Sequence, residues 1–533
     1  MSSAAEASRP ATNLKLLAAA YVLLSLAGIA GLMVGSVPFG VDYPNHAARL
    51  FVECNLGDPV LSRMYTVEYD LIPNLAIDLI NRPLCGLVEP LTLVRGAMIA
   101  TLTGVLVMVW KLHRLLNDGE PNAFVLLAPA MTFNIVTSMG YLNYFIGTFL
   151  FLVFVWCMLK YRVLERHKAL AILLPNLFGA ALFLCHVFAL ALAGVFLFGL
   201  RFGAASGRPL LKRTLDAGLM TAASFVVPFL MMLTAERSGF GLNYAPIGKL
   251  RTFLAPMLYS SIYEALFVAF IWVALFYWAF REKKIFLVPA LFWPVVFLMA
   301  FSFSLPSALL DAVDLDSRSL VSVAYLAITA VRIRTAVGKS ALRETKAEIA
   351  AAVVAALTLS SQLLVAVPQI RTFEQQAAEF RAALKIIEPA SPVVSILNTD
   401  RTPRVPKRFY VHLTSYLTLD QRAFNPSEFT GKGMQPMLAK PAFACIDIPA
   451  GSPLRLNIAR RLLEPETAEI LKQRRYTNYR YFYRWDRRFD YVIYYHHGGR
   501  GNPFPTILKP VHQGSFFTIF RTAKPLSPNG RCA

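Results

Sequence analysis

From Leu16 to Val34 the chain carries no charged residue, and apolar runs of this kind recur as far as residue 367. The hydrocarbon core of a bilayer is about 30 Å thick, so a helix rising about 1.5 Å per residue needs about 20 apolar residues to cross it. Within that core every backbone N–H and C=O must be bonded inside the protein, which leaves helices or closed barrels as the choices. Runs of roughly 17 to 25 residues select helices. They predict a polytopic α-helical membrane protein with about eleven spans, near residues 14–34, 92–110, 122–136, 143–160, 169–184, 187–200, 215–233, 262–280, 285–301, 319–332 and 348–367. The first run lacks a small-residue cleavage site, and its length suits an anchor better than a removed signal peptide. Only 16% of the 533 residues are charged and 56% are hydrophobic, too apolar for an ordinary soluble protein.

The formal net charge of +21 would suggest nucleic acid in a soluble protein. In a membrane protein it follows from basic loops held on the cytoplasmic side and from contact with anionic lipid. One set of predicted loops holds twenty Lys and Arg, among them Lys111, Arg114, Lys160, Arg208, Lys212, Lys283 and Lys284. The opposite set holds eight: Arg49, Arg63, Arg82, Arg95, Arg237, Lys249, Arg251 and Arg318. This places the N-terminus in the cytoplasm and, with an odd number of spans, the residues after Val367 outside it. A bacterial inner membrane with an extracytoplasmic C-terminal domain is the expected setting. Cys54 and Cys85 share the first outer loop, while Cys445 and Cys532 share the tail. On an oxidising side each pair suits a disulfide.

The spans divide the chain into a bundle over 1–367, interrupted by a long outer loop at 35–91, and a domain over 368–533. That domain holds 25 Lys and Arg against 12 Asp and Glu. A helical pattern over Arg371–Ile387 and strand-like runs at Val393–Leu397, Arg408–Leu417, Phe443–Ile448, Asp490–Tyr495 and Ser515–Arg521 predict a small α/β fold. Its stretch from Arg474 to Tyr495 mixes Arg with Tyr481, Phe482, Tyr483 and Trp485. An extracytoplasmic location argues against nucleic acid as its ligand. Carbohydrate stacking, docking on anionic headgroups and simple packing against the bundle remain open.

Candidate functional residues gather in the outer loops. Immediately after the first span stands Val41-Asp42-Tyr43-Pro44-Asn45-His46-Ala47-Ala48-Arg49. Nothing about crossing a bilayer requires this carboxylate, imidazole and guanidinium. If Pro44 opens a helix, His46 and Arg49 lie three apart on one face and can bind phosphate together. Asp42 reads as a general base or as the cap of that helix. Asp70 follows in a segment with mixed apolar and acidic character, Tyr69 to Ile80, which reads as short helices on the membrane surface or as a packed loop. Tyr141 and Asn143, in Gly140-Tyr141-Leu142-Asn143-Tyr144, belong to an interfacial turn or a substrate groove. His186 occupies the next outer turn. Lys249 and Arg251 precede a span, where they greet a lipid phosphate or snorkel. Arg318 stands at the mouth of a span, where a charge is costly unless paired or used, and phosphate is the obvious partner. Asp311, Asp314 and Asp316 close by leave room for a divalent metal, although no fixed ligand spacing supports one.

Familiar cofactor motifs are missing. Gly338-Lys339-Ser340 ends like a phosphate-binding loop, but Ile333 stands where its first glycine is required. Without a nucleotide fingerprint, chemistry outside the cytoplasm needs a donor already there, and lipid-linked intermediates meet that need.

An acidic residue just after the first span, an outer C-terminal domain and a multi-spanning bundle together resemble the GT-C glycosyltransferases. These use polyprenyl-phosphate sugars, and they include the protein O-mannosyltransferases and the lipid A aminoarabinose transferase. Asp42-Tyr43-Pro44-Asn45-His46 and Gly140-Tyr141-Leu142-Asn143-Tyr144 more narrowly resemble a group of bacterial multi-spanning proteins. The resemblance implies that Asp42 activates an acceptor, which is a glycan, a lipid or a protein. GT-C enzymes often pair two acids in the first loop, whereas Tyr43 follows Asp42 here, so Asp42 works alone or with Asp70. Two rival readings stand beside this one: a transporter or flippase of a lipid-linked glycan, and a non-catalytic part of an envelope polysaccharide assembly. Inverted repeats would favour the transporter, and none is visible.

Overall fold

In a computed structural model the protein is mostly helical, with a small sheet region near the C-terminus. The structure describes residues 11–36, 39–166, 168–235, 242–244, 248–309, 312–333, 341–398, 400, 403, 405–448, 453–464, 480–499, 501–523 and 525.

Among these residues six helices are long and apolar enough to cross a membrane: Leu14–Leu32, Pro90–Leu116, Leu142–Lys160, Val187–Ala204, Ile262–Arg281 and Lys346–Ile386. A seventh arises if Leu210–Ala223 and Val226–Thr234, bent by 63° at their junction, count as one span. The prediction of eleven therefore fails, and hydropathy blind to helix length is the reason. The 122–136 run is chopped into short turns, because Asn134 caps a new helix with a reciprocal Thr137 bond and Gly140, at φ +77°, ends it. The helices Leu170–Cys185 and Pro289–Ser304 are apolar but have only 16 residues each. The 319–332 run is the 15-residue helix Leu315–Thr329, whose buried face carries Asp316, Ser317, Arg318, Ser319 and Ser322.

Two compact units result. One comprises 1–33, 98–234 and 240–367, and the other comprises 34–97, 235–239 and 368–533. In the first, the Val187–Ala204 helix packs along Pro289–Ser304. A Cβ on Gly199 would lie 2.7 Å from the Pro294 Cα, so the two backbones touch where no side chain fits. Phe198, Phe202, Trp293 and Phe297 interlock beside that contact.

The second unit joins the first loop to the tail. Tyr65–Val67 pairs antiparallel with Met437–Ala439, and Val52, Tyr65, Val394 and Trp485 share one core. The main sheet has the spatial order 508–513, 517–522, 491–495, 393–397, 454–455, with 393–397 parallel to both of its neighbours. Val393–Ile396 and Tyr491–Tyr495 are buried on both faces. Arg408–Leu417 is not a strand. It is a run of tight helical turns that buries Phe409, Tyr410, Leu413, Tyr416 and Leu417, a spacing of three to four rather than two. Phe443–Ile448 likewise begins in the short helix Pro441–Ala444. In the Arg-aromatic stretch Phe482 and Trp485 are core residues, and the Trp485 indole donates to the Ala459 carbonyl at 2.9 Å. Its residues 474–479 lie outside the described residues.

Cys54 and Cys85 form a disulfide. Cys445 is also disulfide-bonded, and its expected partner Cys532 lies outside the described residues. The 65–67 and 437–439 strands can pair only if loop and tail occupy one side of the membrane. An even number of crossings must then separate them, so the total is odd.

Candidate functional site

Asp42 occupies the cap position of the helix Tyr43–Cys54, with Pro44 in the first turn, where its missing N–H costs nothing. Its backbone carbonyl accepts from His46 N–H at 2.9 Å, but its carboxylate makes no cap bond. Base and cap thus separate: the backbone starts the helix while the carboxylate faces elsewhere. One carboxylate oxygen lies 3.6 Å from His412 Nε2, and the side chain keeps 18% of its surface. Burial pushes His412 down to about 4, so at neutral pH the ring is uncharged and does not neutralise Asp42.

The rest of that helix face is buried and committed. His46 and Arg49 do share a face, with Nδ1 3.2 Å from Nη2. Arg49 is fully buried, however, and its guanidinium grips Asp78 at 2.5 and 3.2 Å. The expected phosphate pair is therefore occupied by a carboxylate of the same unit. Glu53 completes the cluster, its carboxyl raised by burial and by Asp78 beside it. Asn45 donates to Glu428 at 2.7 Å, and Ser415, Thr418 and Asn425 also bond that carboxylate. Burial still lifts Glu428 to about 7. Asp70 is exposed, and Asp78 is the acid that reaches the helix carrying His46 and Arg49. An acid inside the apolar segment Leu75–Ile80 was the available signal for Asp78. Nothing near positions 412 and 428 announced His412 or Glu428.

The remaining predicted residues lie in the other unit, and the structure gathers most of them. Tyr141 donates its hydroxyl to Asp314 at 2.9 Å, and Arg251 reaches the same carboxylate at 3.2 and 3.3 Å. Lys249 Nζ sits 2.7 Å from Asp316 and 2.5 Å from the Leu305 carbonyl, and Thr252 also bonds Asp316. Each of these acids is thus paired with a cation. Asn143 is buried in the first turn of the Leu142–Lys160 helix. Asp311 lies outside the described residues, and among the described residues no three of His, Cys, Asp and Glu gather as metal ligands.

Arg318 is different. It is 7% exposed and stacks at 3.3 Å over the Tyr141 ring, with Nη1 3.2 Å from His186 Nε2. No carboxylate pairs with it among the described residues, and its Nε is buried without a partner. His186 caps the Val187–Ala204 helix by accepting the Phe188 N–H on Nδ1. The Arg318 N–H also points at Nε2, and a neutral ring can accept only one of these two bonds, so one of the two N–H donors is left short of an acceptor. That arrangement suits a bound anion.

Comparison of the chain with family models, with curated proteins and with solved structures found no match. The class therefore rests on the fold itself: a membrane-embedded helical protein with a small sheet domain.

Proposed function

We propose that this protein is an integral membrane glycosyltransferase that moves a sugar from a polyprenyl phosphate to an extracytoplasmic glycan, lipid or protein. The observation that carries the reading is the buried Arg318 guanidinium, which meets no carboxylate among the described residues and whose Nε has no partner. A phosphate oxygen is an acceptor that this guanidinium lacks, and a charge-assisted bond to Arg is the strong kind.

The acceptor hydroxyl attacks the anomeric carbon, and the bond from that carbon to the phosphate oxygen breaks. The hydroxyl proton passes to the Asp42 carboxylate, and the electron pair departs with the polyprenyl phosphate. A single displacement inverts the anomeric centre. Asp42 suits the base because it is partly open to solvent, makes no cap bond and has an uncharged imidazole beside it. The Cys54–Cys85 disulfide and the basic loops support an extracytoplasmic first loop and tail in a bacterial inner membrane.

The test compares envelope glycans from cells carrying wild-type protein, Asp42→Asn, Arg318→Ala or a deletion, with membrane insertion checked for each. Asp42→Asn is expected to slow transfer by roughly 10²–10⁴-fold. If the inserted variant leaves glycans unchanged, Asp42 is not the base. If the deletion alters no glycan, the glycosyltransferase reading falls.

A further inference from the structure

Phe429 adopts a backbone conformation that bulky side chains rarely take. Its φ of +55° lies in the left-handed region, where a Cβ presses on the following carbonyl. Among the described residues the other non-glycine positions of positive φ carry polar or charged side chains, Ala390 excepted. Such strain persists only where the surroundings over-determine it, and here both neighbours are clamped. The Glu428 carboxylate accepts from Asn45, Ser415, Thr418 and Asn425, and the Thr430 hydroxyl bonds Asp447. Core packing does not account for the ring. From Ala423 to Thr430 every residue is buried except Phe429, whereas Phe424 sits in the core against Tyr65 and Phe443. The Phe429 ring lies beside the His412 imidazole, with centroids 4.7 Å apart, and His412 Nε2 is 3.6 Å from the Asp42 carboxylate. A strained backbone therefore presents a partly open aromatic face next to the partly open acid.

We infer that Phe429 is the platform on which a sugar ring of the acceptor lies, so that the hydroxyl activated by Asp42 belongs to a carbohydrate. The inference rests on Asp42 as the base, and it narrows the acceptor. A pyranose carries its hydroxyls round the rim and turns an apolar C–H face to an aromatic ring, where dispersion holds it. Stacked in this way, the sugar directs a rim hydroxyl sideways, towards the acid beside the platform. A serine or threonine side chain and a glycerol headgroup have no flat face to lay on Phe429. The clamped backbone fixes the ring, and the ring fixes the sugar. The strain thus accompanies a preorganised acceptor site, in which the reacting hydroxyl is held for attack.

The experiment follows the rate at which induced cells add the sugar that a deletion strain lacks. Polysaccharide, glycolipid and protein fractions are analysed separately, and membrane insertion is checked for every variant. Cells carry wild-type protein, Asp42→Asn, Phe429→Gly, Phe429→Leu or Phe429→Tyr. Glycine accepts a positive φ without strain, so Phe429→Gly keeps the backbone while removing the platform. Phe429→Leu keeps apolar bulk without a flat face, and Phe429→Tyr keeps the face. Phe429→Gly and Phe429→Leu are expected to slow the addition about tenfold or more, with Phe429→Tyr within about twofold of wild type. The new linkage is expected on a sugar, and the fraction that carries it tells a polysaccharide acceptor from a glycolipid. With Asp42→Asn slow, Phe429→Leu at the wild-type rate, or Phe429→Tyr as slow as Phe429→Leu, overturns the platform and leaves Asp42 standing as the base. A new linkage made directly to a protein side chain or to glycerol overturns the platform too. Asp42→Asn at the wild-type rate overturns the reading beneath it.

Discussion

Asp42 and Asp78 are acids of the same unit with opposite duties, and substitution separates them. Asp78 is fully buried against Arg49. Asp78→Ala would leave a buried guanidinium that has lost its closest partner, at a cost of about 3–5 kcal/mol read from chemical unfolding. Asp42→Asn removes no cap bond, so its stability is expected to stay within about 0.5 kcal/mol of wild type. Glu428 titrates in the fold near 7 because burial outweighs its four donors. The folded state then holds a proton that the unfolded chain releases at its ordinary, lower value. Stability from this group is present at low pH, declines as pH rises towards about 7, and is level above it, an effect on the order of 3 kcal/mol. His412, pushed down to about 4, works in the opposite sense below about 6.5. The difference in melting temperature between wild type and Glu428→Gln, followed from about pH 5 to about pH 8, therefore isolates the carboxyl. A wild-type curve that falls no more steeply than the variant's refutes it. Asp78 could be suspected from its apolar neighbours, whereas Glu428 could not, because its donors come from Asn45 and from residues 415–425.

Helix contacts set the next scale. The Val187–Ala204 helix carries two glycines with different jobs: Gly199 touches the Pro294 backbone and Gly194 faces open space. Gly199→Ala is expected to cost roughly 1–3 kcal/mol by forcing the helices apart, while Gly194→Ala leaves the melting temperature unchanged. Equal effects at both positions would contradict the packing. Sequence patterns located Val393–Leu397 and Asp490–Tyr495 as strands, since β-branched and aromatic residues crowd both. They misread Arg408–Leu417, whose apolar spacing belongs to tight helical turns. They also counted 16-residue apolar helices as spans, because hydropathy records composition and not where a cap or glycine stops the helix.

For the whole molecule, the pairing of 65–67 with 437–439 makes the loop and the tail one body on one side of the membrane. Protease sites inserted at the exposed turns around Gly57 and Gly498 should be cut together, or protected together, when protease is added to sealed spheroplasts. Cleavage of one alone would break the shared unit and the odd parity with it. What the sequence determined by itself was the solvent: apolar runs of that length cannot be folded in water, and polar groups between them must lie at their ends. It also marked Asp42 and Arg318 as charges that spanning does not require. Which of those charges stay unmatched was decided only by tertiary structure, because neutralisation depends on partners distant in the chain. Asp78 matched Arg49 and Asp316 matched Lys249, while Arg318 met the His186 ring and, among the described residues, no carboxylate.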